Sequence, residues 1–528
     1  MKMEMLKTNQ TNWRVEKYFA ALFLLVLSSA LSARAELSVP HFFSDHMVLQ
    51  QGKAVKVWGH ATPGQEVSVQ FRGASSTAKA GEDGNWALHI ASGNGGPDGH
   101  LLVIRSGGDD VSIEDVLVGE VWFAAGQSNM MWKLDRSNRP EESITSAHHP
   151  LIRMFHSPEV TAEPPQGDIA GQWTICSPET AGDYSAVAYY YARKLQQELG
   201  VPVGVIVSAW GAKRIESFIS RDVLQSDPVT KHLVDTLMRQ EADYDPALAM
   251  AVYEQRNAAF QQWVDAGEPT DTPRPRPMRE EPQRPLLTAS QPGVLFNSMV
   301  HPFVGYDIRG VIWYQGESNA HTHLVPYDIL LSALIEDWRS RWGYEFPFYY
   351  VQLANFKAPT SEPVMEDPWA AVQDRMRRVL ATTAHTGMAV INDVGEENNI
   401  HPKDKQTPGE RLARWALANV YDAKGIIYSG PLYESVEVEA GALAVRFTSV
   451  GVGLQSRDGL ALQRFEIAGA DGKWIWANAE IVGAAQVILS HPDVTEPVAA
   501  RYAWSSNPEG ANLVNSAGLP TSVFSTVD

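Results

Sequence analysis

Between Val121 and Ile391, five short apolar runs alternate with stretches of helical character. That alternation restricts the fold more than any other feature of the chain. The runs occupy residues 121–125, 203–208, 310–314, 348–353 and 387–391. Each is rich in β-branched and aromatic residues and too short for a core helix, so each reads as a strand buried on both faces. The helices between them have legible ends. Residues 185–199 are apolar on one side and stop at Gly200; residues 327–342 start after Pro326 and stop at Gly343; residues 408–421 carry Pro408 in the first turn. The alternation predicts a five-stranded parallel sheet with helices on both faces.

The flanks differ. Before residue 118, alternating runs such as Val55-Lys-Val-Trp58 and Glu66-Val-Ser-Val-Gln70 are separated by turn signals such as Pro63-Gly64 and Asp83-Gly84. This reads as a small β-sandwich. After residue 426, Val436-Glu-Val-Glu439 and Leu443-Ala-Val-Arg-Phe447 resume the period of two, a second β-module. Residues 227–287 interrupt the central alternation: Asp227-Pro228 and Pro246 each start a helix, and six prolines fall within 269–285. This is a helical insertion with a proline-rich arm, either walling one side of a substrate cleft or forming a solvated excursion. The expected division is 1–35, 36–117, 118–426 with the insertion, and 427–528.

The first segment reads as a secretory signal. Lys7, Arg14 and Lys17 precede an apolar stretch too short to span a membrane comfortably, and Ala33-Arg34-Ala35 offers a small-x-small cleavage site. The mature chain is then expected to begin near Glu36, in a periplasmic or secreted location, without stable membrane insertion. Its removal makes the remainder more acidic still than the full chain, whose net charge is −19. That balance argues against nucleic acid as a partner. With 44% hydrophobic and 20% charged residues, the composition supports a large core rather than disorder. The single cysteine, Cys176, cannot form an internal disulfide and reads as a buried structural thiol.

The chemistry gathers at strand ends. In open parallel sheets, ligands bind beyond the carboxyl ends of the strands. The first run passes through Gly126-Gln127 to Ser128 and Asn129, a serine at a strand-to-helix turn with free backbone N–H groups beside it. The second ends in Ser208-Ala-Trp-Gly211, the third in Gln315-Gly-Glu-Ser-Asn319, the fourth near Gln352 and Asn355, and the fifth in Asn392-Asp393, with His401 shortly after. One serine, one downstream histidine and several amides on one rim are the parts for acyl transfer. Adjacent His148 and His149 read as a surface loop, and His301 with Glu317 makes no recognisable metal set. His321 and His323 read as loop or cleft residues. Trp132, Trp210 and Trp313 are sugar platforms or core fillers.

Gly126-Gln-Ser-Asn-Met130 resembles the first block of the SGNH hydrolases. Together with Trp173-Thr-Ile-Cys-Ser-Pro-Glu-Thr180, Ser208-Ala-Trp-Gly-Ala212, Trp313-Tyr-Gln-Gly-Glu-Ser-Asn319 and Ile400-His-Pro-Lys-Asp-Lys-Gln406, it resembles the sialate O-acetylesterase-like carbohydrate esterases over roughly residues 40–425. The resemblance implies a flavodoxin-like three-layer α/β/α domain and an acetylesterase that needs no cofactor or metal, its partner an acetylated carbohydrate. It implies Ser128 as nucleophile and His401 as general base. The oxyanion hole would comprise the backbone N–H groups of Ser128 and Gly211 with the side chain of Gln315. Read alone, Gly211 is equally a turn glycine and Gln315 a strand-end cap. Gln127, Asn129, Trp210, Glu317 and Asn319 would meet substrate. Where relatives carry an aspartate two or three residues before the histidine, this chain has Asn399 and Asn398. The acid is then sought among Asp393, Glu396, Glu397, Asp404 and Glu317, or the pair acts as a dyad. Asp393 is preferred for its place at a strand end, while Asp404 is expected to cap the helix that follows or pair with a neighbouring lysine. The substrate is an acetylated sialic acid, for which Lys213-Arg214 would supply a cation, or a plant cell-wall oligosaccharide, which the acidity of the chain favours. The alternative is a non-catalytic carbohydrate-binding protein on an esterase fold.

Overall fold

A computed structural model of the protein describes residues 36–320 and 324–527. The secretory segment with its cleavage site, and His321 and His323, lie outside the described residues. The chain forms two compact units. The smaller comprises the described residues up to Val39 with Val57–Ile90 and Leu102–Ser112; the larger comprises Pro40–Lys56, Ala91–Leu101 and everything from Ile113. In the smaller unit, Glu66–Phe71 pairs antiparallel with Ala74–Lys79 on one side and with residues 102–106 on the other. Its inward residues Val67, Val69, Phe71, Trp86 and Ile90 alternate with exposed ones, the half-buried pattern of an antiparallel sheet.

The larger unit is built on a seven-stranded sheet. Its strands are β1 (Asp109–Gly126), β2 (His149–His156), β3 (Trp173–Cys176), β4 (Val203–Ala209), β5 (Gly310–Tyr314), β6 (Phe348–Val351) and β7 (Thr386–Ala389). The order across the sheet is β7-β6-β5-β1-β4-β2-β3. All neighbours run parallel except β3, which pairs antiparallel with β2. The five strands expected from sequence are all present, and among themselves they take the flavodoxin-like order 2-1-3-4-5. The expectation of five strands is nevertheless corrected: β2 adds a sixth parallel strand and β3 an antiparallel edge.

Alternation along the strands sorts the aromatic core into two layers. On one face Trp122 and Tyr349 meet Tyr191 of helix α2 (Ala186–Leu199) and Trp415 of helix α5 (Gln406–Asn419). On the other, Phe123, Trp313 and Phe348 meet Trp338 of helix α3 (Tyr327–Trp342). Helix α4 (Pro368–Thr382) packs beside α3. All of these rings are buried, a stabilisation of about 2 kcal/mol apiece. Helix α2 stops at Gly200 and α3 at Gly343, both in the left-handed conformation that favours glycine. Helix α5 begins at Gln406, two residues earlier than Pro408 suggests, so the proline lies inside the first turn, where its missing N–H has no partner to lose.

The insertion forms helices Lys231–Ala242 and Pro246–Asp265, the second capped by Asp245, followed by the proline-rich arm. After α5 the chain is all β. Leu432–Glu439, Ala442–Thr448, Gln486–Ser490 and Asn478–Val482 make one four-stranded sheet; Trp474–Trp476, Phe465–Ala468, Ala499–Tyr502 and Phe524–Ser525 make another. Val445, Phe447, Ile467, Leu489, Tyr502 and Phe524 fill a common core. This module grips loops of the seven-stranded sheet. Asn507 bonds Asn355 and the Lys357 carbonyl, Ser506 bonds Asp367, and Asn392 bonds the Thr521 carbonyl. Among the described residues no helix is long and apolar enough to cross a membrane.

Candidate active site

Strand β1 ends at Gly126 with φ +138°. A Cβ there would lie 2.1 Å from the Tyr314 carbonyl oxygen, so only glycine fits where β1 and β5 separate. This separation is the switch point of the sheet, the place where open α/β folds bind ligands. Gln127 N–H donates to that same Tyr314 carbonyl at 3.0 Å, and the chain turns into a one-turn helix, α1 (Ser128–Met131). Strand β4 closes the other side: Trp210 N–H donates to the Gly126 carbonyl at 3.1 Å, and a Cβ on Gly211 would touch Ser128 Cβ at 3.4 Å.

His401 arrives from the loop after β7, and its Nε2 lies 2.8 Å from Ser128 Oγ. The loop is folded by its own side chains. Glu396 accepts from Lys403 N–H at 2.6 Å and from Asn399 Nδ2 at 3.0 Å; Asn399 Oδ1 accepts from His401 N–H at 3.0 Å. The Trp132 indole stacks on the imidazole, centroids 5.1 Å apart and planes 19° apart. Burial, and then the charge of Lys405, holds the imidazole pKa below its ordinary value, so the ring is neutral and able to accept a proton at neutral pH.

The preference for Asp393 as the acid behind His401 is corrected. Its two oxygens receive Arg411 Nη1 at 2.6 Å and Nη2 at 2.9 Å, with Arg457 3.5 Å away. Asp393 ties α5 and the C-terminal module to the strand end. None of the other candidate carboxylates accepts from the imidazole among the described residues. Asp404 accepts from Thr407 in the first turn of α5, Glu397 is exposed, and Glu317 is buried against Asn129. Among the described residues, His401 Nδ1 has no hydrogen-bond acceptor.

Gln315 is corrected too. Its Nε2 faces Asn319 Oδ1 at 2.7 Å, Gln127 Oε1 at 3.1 Å and the Lys213 carbonyl at 3.2 Å, while its Oε1 accepts from Tyr327 at 2.8 Å. Both amide hydrogens are committed to holding three loops together, which leaves none aimed at an oxyanion. Asn319 is likewise internal, bonded to Ile215 N–H and Glu216. Trp313 is core. Trp210 is half-buried and lines a cleft of about 710 Å³ with Lys213, Glu159 and the arm residues Met278–Gln283. Lys213 Nζ sits 5.0 Å over the Trp210 ring, and Arg214 pairs with Glu216 at 3.2 Å. Cys176 is buried, its thiol pushed up to about 12 by desolvation, which makes it inert.

Sequence reasoning did not single out Lys405. It is 1% exposed, and its Nζ donates to Asn129 Oδ1 at 2.5 Å. The available signal was a lysine placed between Asp404 and a helix at a position that must face inward once His401 reaches Ser128.

The comparisons agree with this architecture. A family model described as carbohydrate esterase, sialic acid-specific acetylesterase, matches residues 290–417. The sialate O-acetylesterase of Mus musculus is 27% identical over 93% of this chain and 93% of its own length, and that of Homo sapiens is 28% identical over 92% and 90%. The crystal structure of a carbohydrate acetylesterase from Xanthomonas citri superposes with a TM-score of 0.78 at 32% identity, covering 93% of this chain and 99% of that one. An α/β sheet with these relatives defines an acetylesterase, within the class of serine carboxylic-ester hydrolases. The chain belongs to the sialate O-acetylesterase-like carbohydrate esterases.

Proposed function

We propose that the protein is exported and removes O-acetyl groups from glycans through an acetyl-serine intermediate, with Ser128 and His401 as the reacting pair. The observation that carries this reading is the 2.8 Å contact between His401 Nε2 and Ser128 Oγ. Ser128 Oγ attacks the acetyl carbonyl carbon as its proton passes to Nε2. The oxyanion is held by the backbone N–H groups of Ser128 and Gly211, neither of which has an acceptor among the described residues. Each such donor is worth about 3 kcal/mol in the transition state. His401 then protonates the departing sugar oxygen, and water, deprotonated by the same imidazole, releases acetate from the serine.

The sugar is accommodated beside Gly211, in the cleft of Trp210 and Lys213. The Lys213 ammonium has no ion-pair partner among the described residues and is available to a substrate carboxylate, which favours an acetylated sialic acid. The acidity of the chain favours a neutral plant oligosaccharide instead, and a panel of acetylated sialosides, xylo-oligosaccharides and xyloglucan oligosaccharides separates the two.

Hydrolysis of 4-nitrophenyl acetate by the parent and by Ser128→Ala tests the mechanism. The variant is expected to lose at least about 10³-fold in kcat with its melting temperature unchanged, and retention of activity would sink the assignment. Protein recovered outside the cytoplasm with an intact Met1 would overturn the proposed processing.

A further inference from the structure

We propose that Lys405 is the positioning residue of the Ser128–His401 pair, fixing the serine turn through Asn129 and the imidazole plane through Trp132. This rests on the Ser–His reading above.

A buried ammonium costs several kcal/mol unless it is paired, yet Lys405 has no salt bridge among the described residues. Its hydrogen-bond partner is a neutral amide, and its Nζ lies 5.6 Å from the Trp132 ring centre and 5.5 Å from that of Tyr314. A site that needed only volume would accept methionine. The ammonium instead decides which way Asn129 points. With Oδ1 receiving Lys405, Nδ2 must face the other way, where it donates to Glu317 and, at 3.1 Å, to the Ile400 carbonyl. Asn129 follows Ser128 and Ile400 precedes His401, so this one amide stitches the two reacting segments together. Without the lysine Oδ1 loses its donor, and of the two bonds that tie Asn129 to the histidine segment, to Lys405 and to Ile400, only the latter remains to hold the serine turn.

The second arm runs through Trp132, which lies flat on the imidazole and within cation–π range of the same ammonium. With no acceptor for Nδ1 among the described residues, the ring is oriented by this stack rather than by a carboxylate, while Asn399 holds the His401 backbone through its N–H and carbonyl. The charge also acts directly. Lys405 opposes protonation of His401, while Glu317 from the end of β5, Glu396 from the histidine loop and Asp404 from its own segment act back on Lys405. Desolvation outweighs those carboxylates and brings the lysine down to about 7, while the imidazole is held below its ordinary value, so the lysine takes up its proton before the imidazole as the pH falls.

The test is the pH profile of kcat/KM for 4-nitrophenyl acetate in Lys405→Met and Lys405→Arg. Loss of the positive charge makes His401 easier to protonate, so in Lys405→Met the acid limb moves to higher pH. The kcat falls about 100-fold, the scale of a misplaced reacting group, with KM within about twofold. Lys405→Arg keeps the charge, leaves the acid limb where the parent has it, and recovers part of kcat. A folded Lys405→Met with parental kcat, or with a lowered kcat and an unmoved acid limb, overturns the proposal. If the methionine variant does not fold, Lys405→Gln, which keeps a donor for Asn129 but no charge, decides by the same limb. Ser128→Ala is assayed alongside: activity in that variant would refute the Ser–His reading itself, an outcome independent of where the Lys405 limb falls.

Discussion

Asp393 and His401 are eight positions apart in a chain whose family resemblance leads one to expect an acid near the histidine, and yet their side chains serve different ends. The carboxylate closes a fork with Arg411 and leans on Arg457, both of them beyond the histidine in sequence. Asp393→Asn is therefore expected to cost stability rather than chemistry. The group is nearly buried and leaves Arg411 partly unpaired, so a loss of about 2–3 kcal/mol is expected in denaturant unfolding. Turnover of 4-nitrophenyl acetate should stay within about threefold of the parent. A fall of about 10⁴-fold, the size seen when a triad carboxylate is neutralised, would restore Asp393 to the histidine. Ser128 and Gly211 could be singled out because each follows a strand end where the chain changes from apolar to polar, and His401 because it lies in a block that resembles the family. The partner of a carboxylate is not written locally. Arg411 and Arg457 compete for Asp393 from other elements, as Asn319, Gln127 and Lys213 compete for Gln315, and no pattern within either loop announces that competition.

At the scale of elements, the strands that sequence revealed are those buried on both faces, since only they read as continuous apolar runs. Strands β2 and β3 escaped because neither reads as a continuous apolar run: β3 is a four-residue antiparallel edge, and β2 carries His149, Pro150 and Arg153, with its pairing to β3 shifting register between His149 and Arg153. Although β2 is paired on both sides, its ladder with β4 covers only residues 152–156, so His149 and Pro150 lie beyond it, where proline forfeits no bond to β4. The junction of β1 with α1 shows the opposite extreme, a place where the backbone admits one residue type. Gly126→Ala would bring a methyl group to 2.1 Å from the Tyr314 carbonyl oxygen at a backbone angle that L-residues rarely adopt. Backbone on both sides cannot yield as a flexible side chain would. We expect at least about 3 kcal/mol of destabilisation by chemical denaturation, with esterase activity lost because the serine turn is displaced. A variant of parental stability would mean that β1 and β5 do not approach as described.

Across the larger unit, the central sheet carries Ser128 and the loop of His401, the proposed reacting pair, while the C-terminal module and the insertion border that region at different places. The C-terminal module holds the loops on which His401 depends: Asn507 fixes Asn355, and Asn355 Oδ1 accepts from Gly395 N–H at 2.6 Å, at the start of the histidine loop. The insertion instead borders the cleft proposed for the sugar, since its arm lines that cleft with Trp210 and Lys213. Arginine and glutamate on that arm put donors and acceptors within reach of hydroxyl groups, while the reacting pair lies at the ends of β1 and of the loop after β7. A small ester such as 4-nitrophenyl acetate needs only the pair and the backbone donors. An acetylated oligosaccharide gains binding from the cleft, and remote contacts of that kind are felt in kcat/KM. Replacing residues 269–283 by a short Gly/Ser linker is therefore expected to leave kcat/KM for 4-nitrophenyl acetate within about twofold. For an acetylated oligosaccharide it is expected to fall about tenfold, equivalent to about 1.4 kcal/mol of lost contact. Equal losses on both substrates would show that the arm supports the fold instead. Parental values on both would make it the solvated excursion that its proline-rich composition equally suggests.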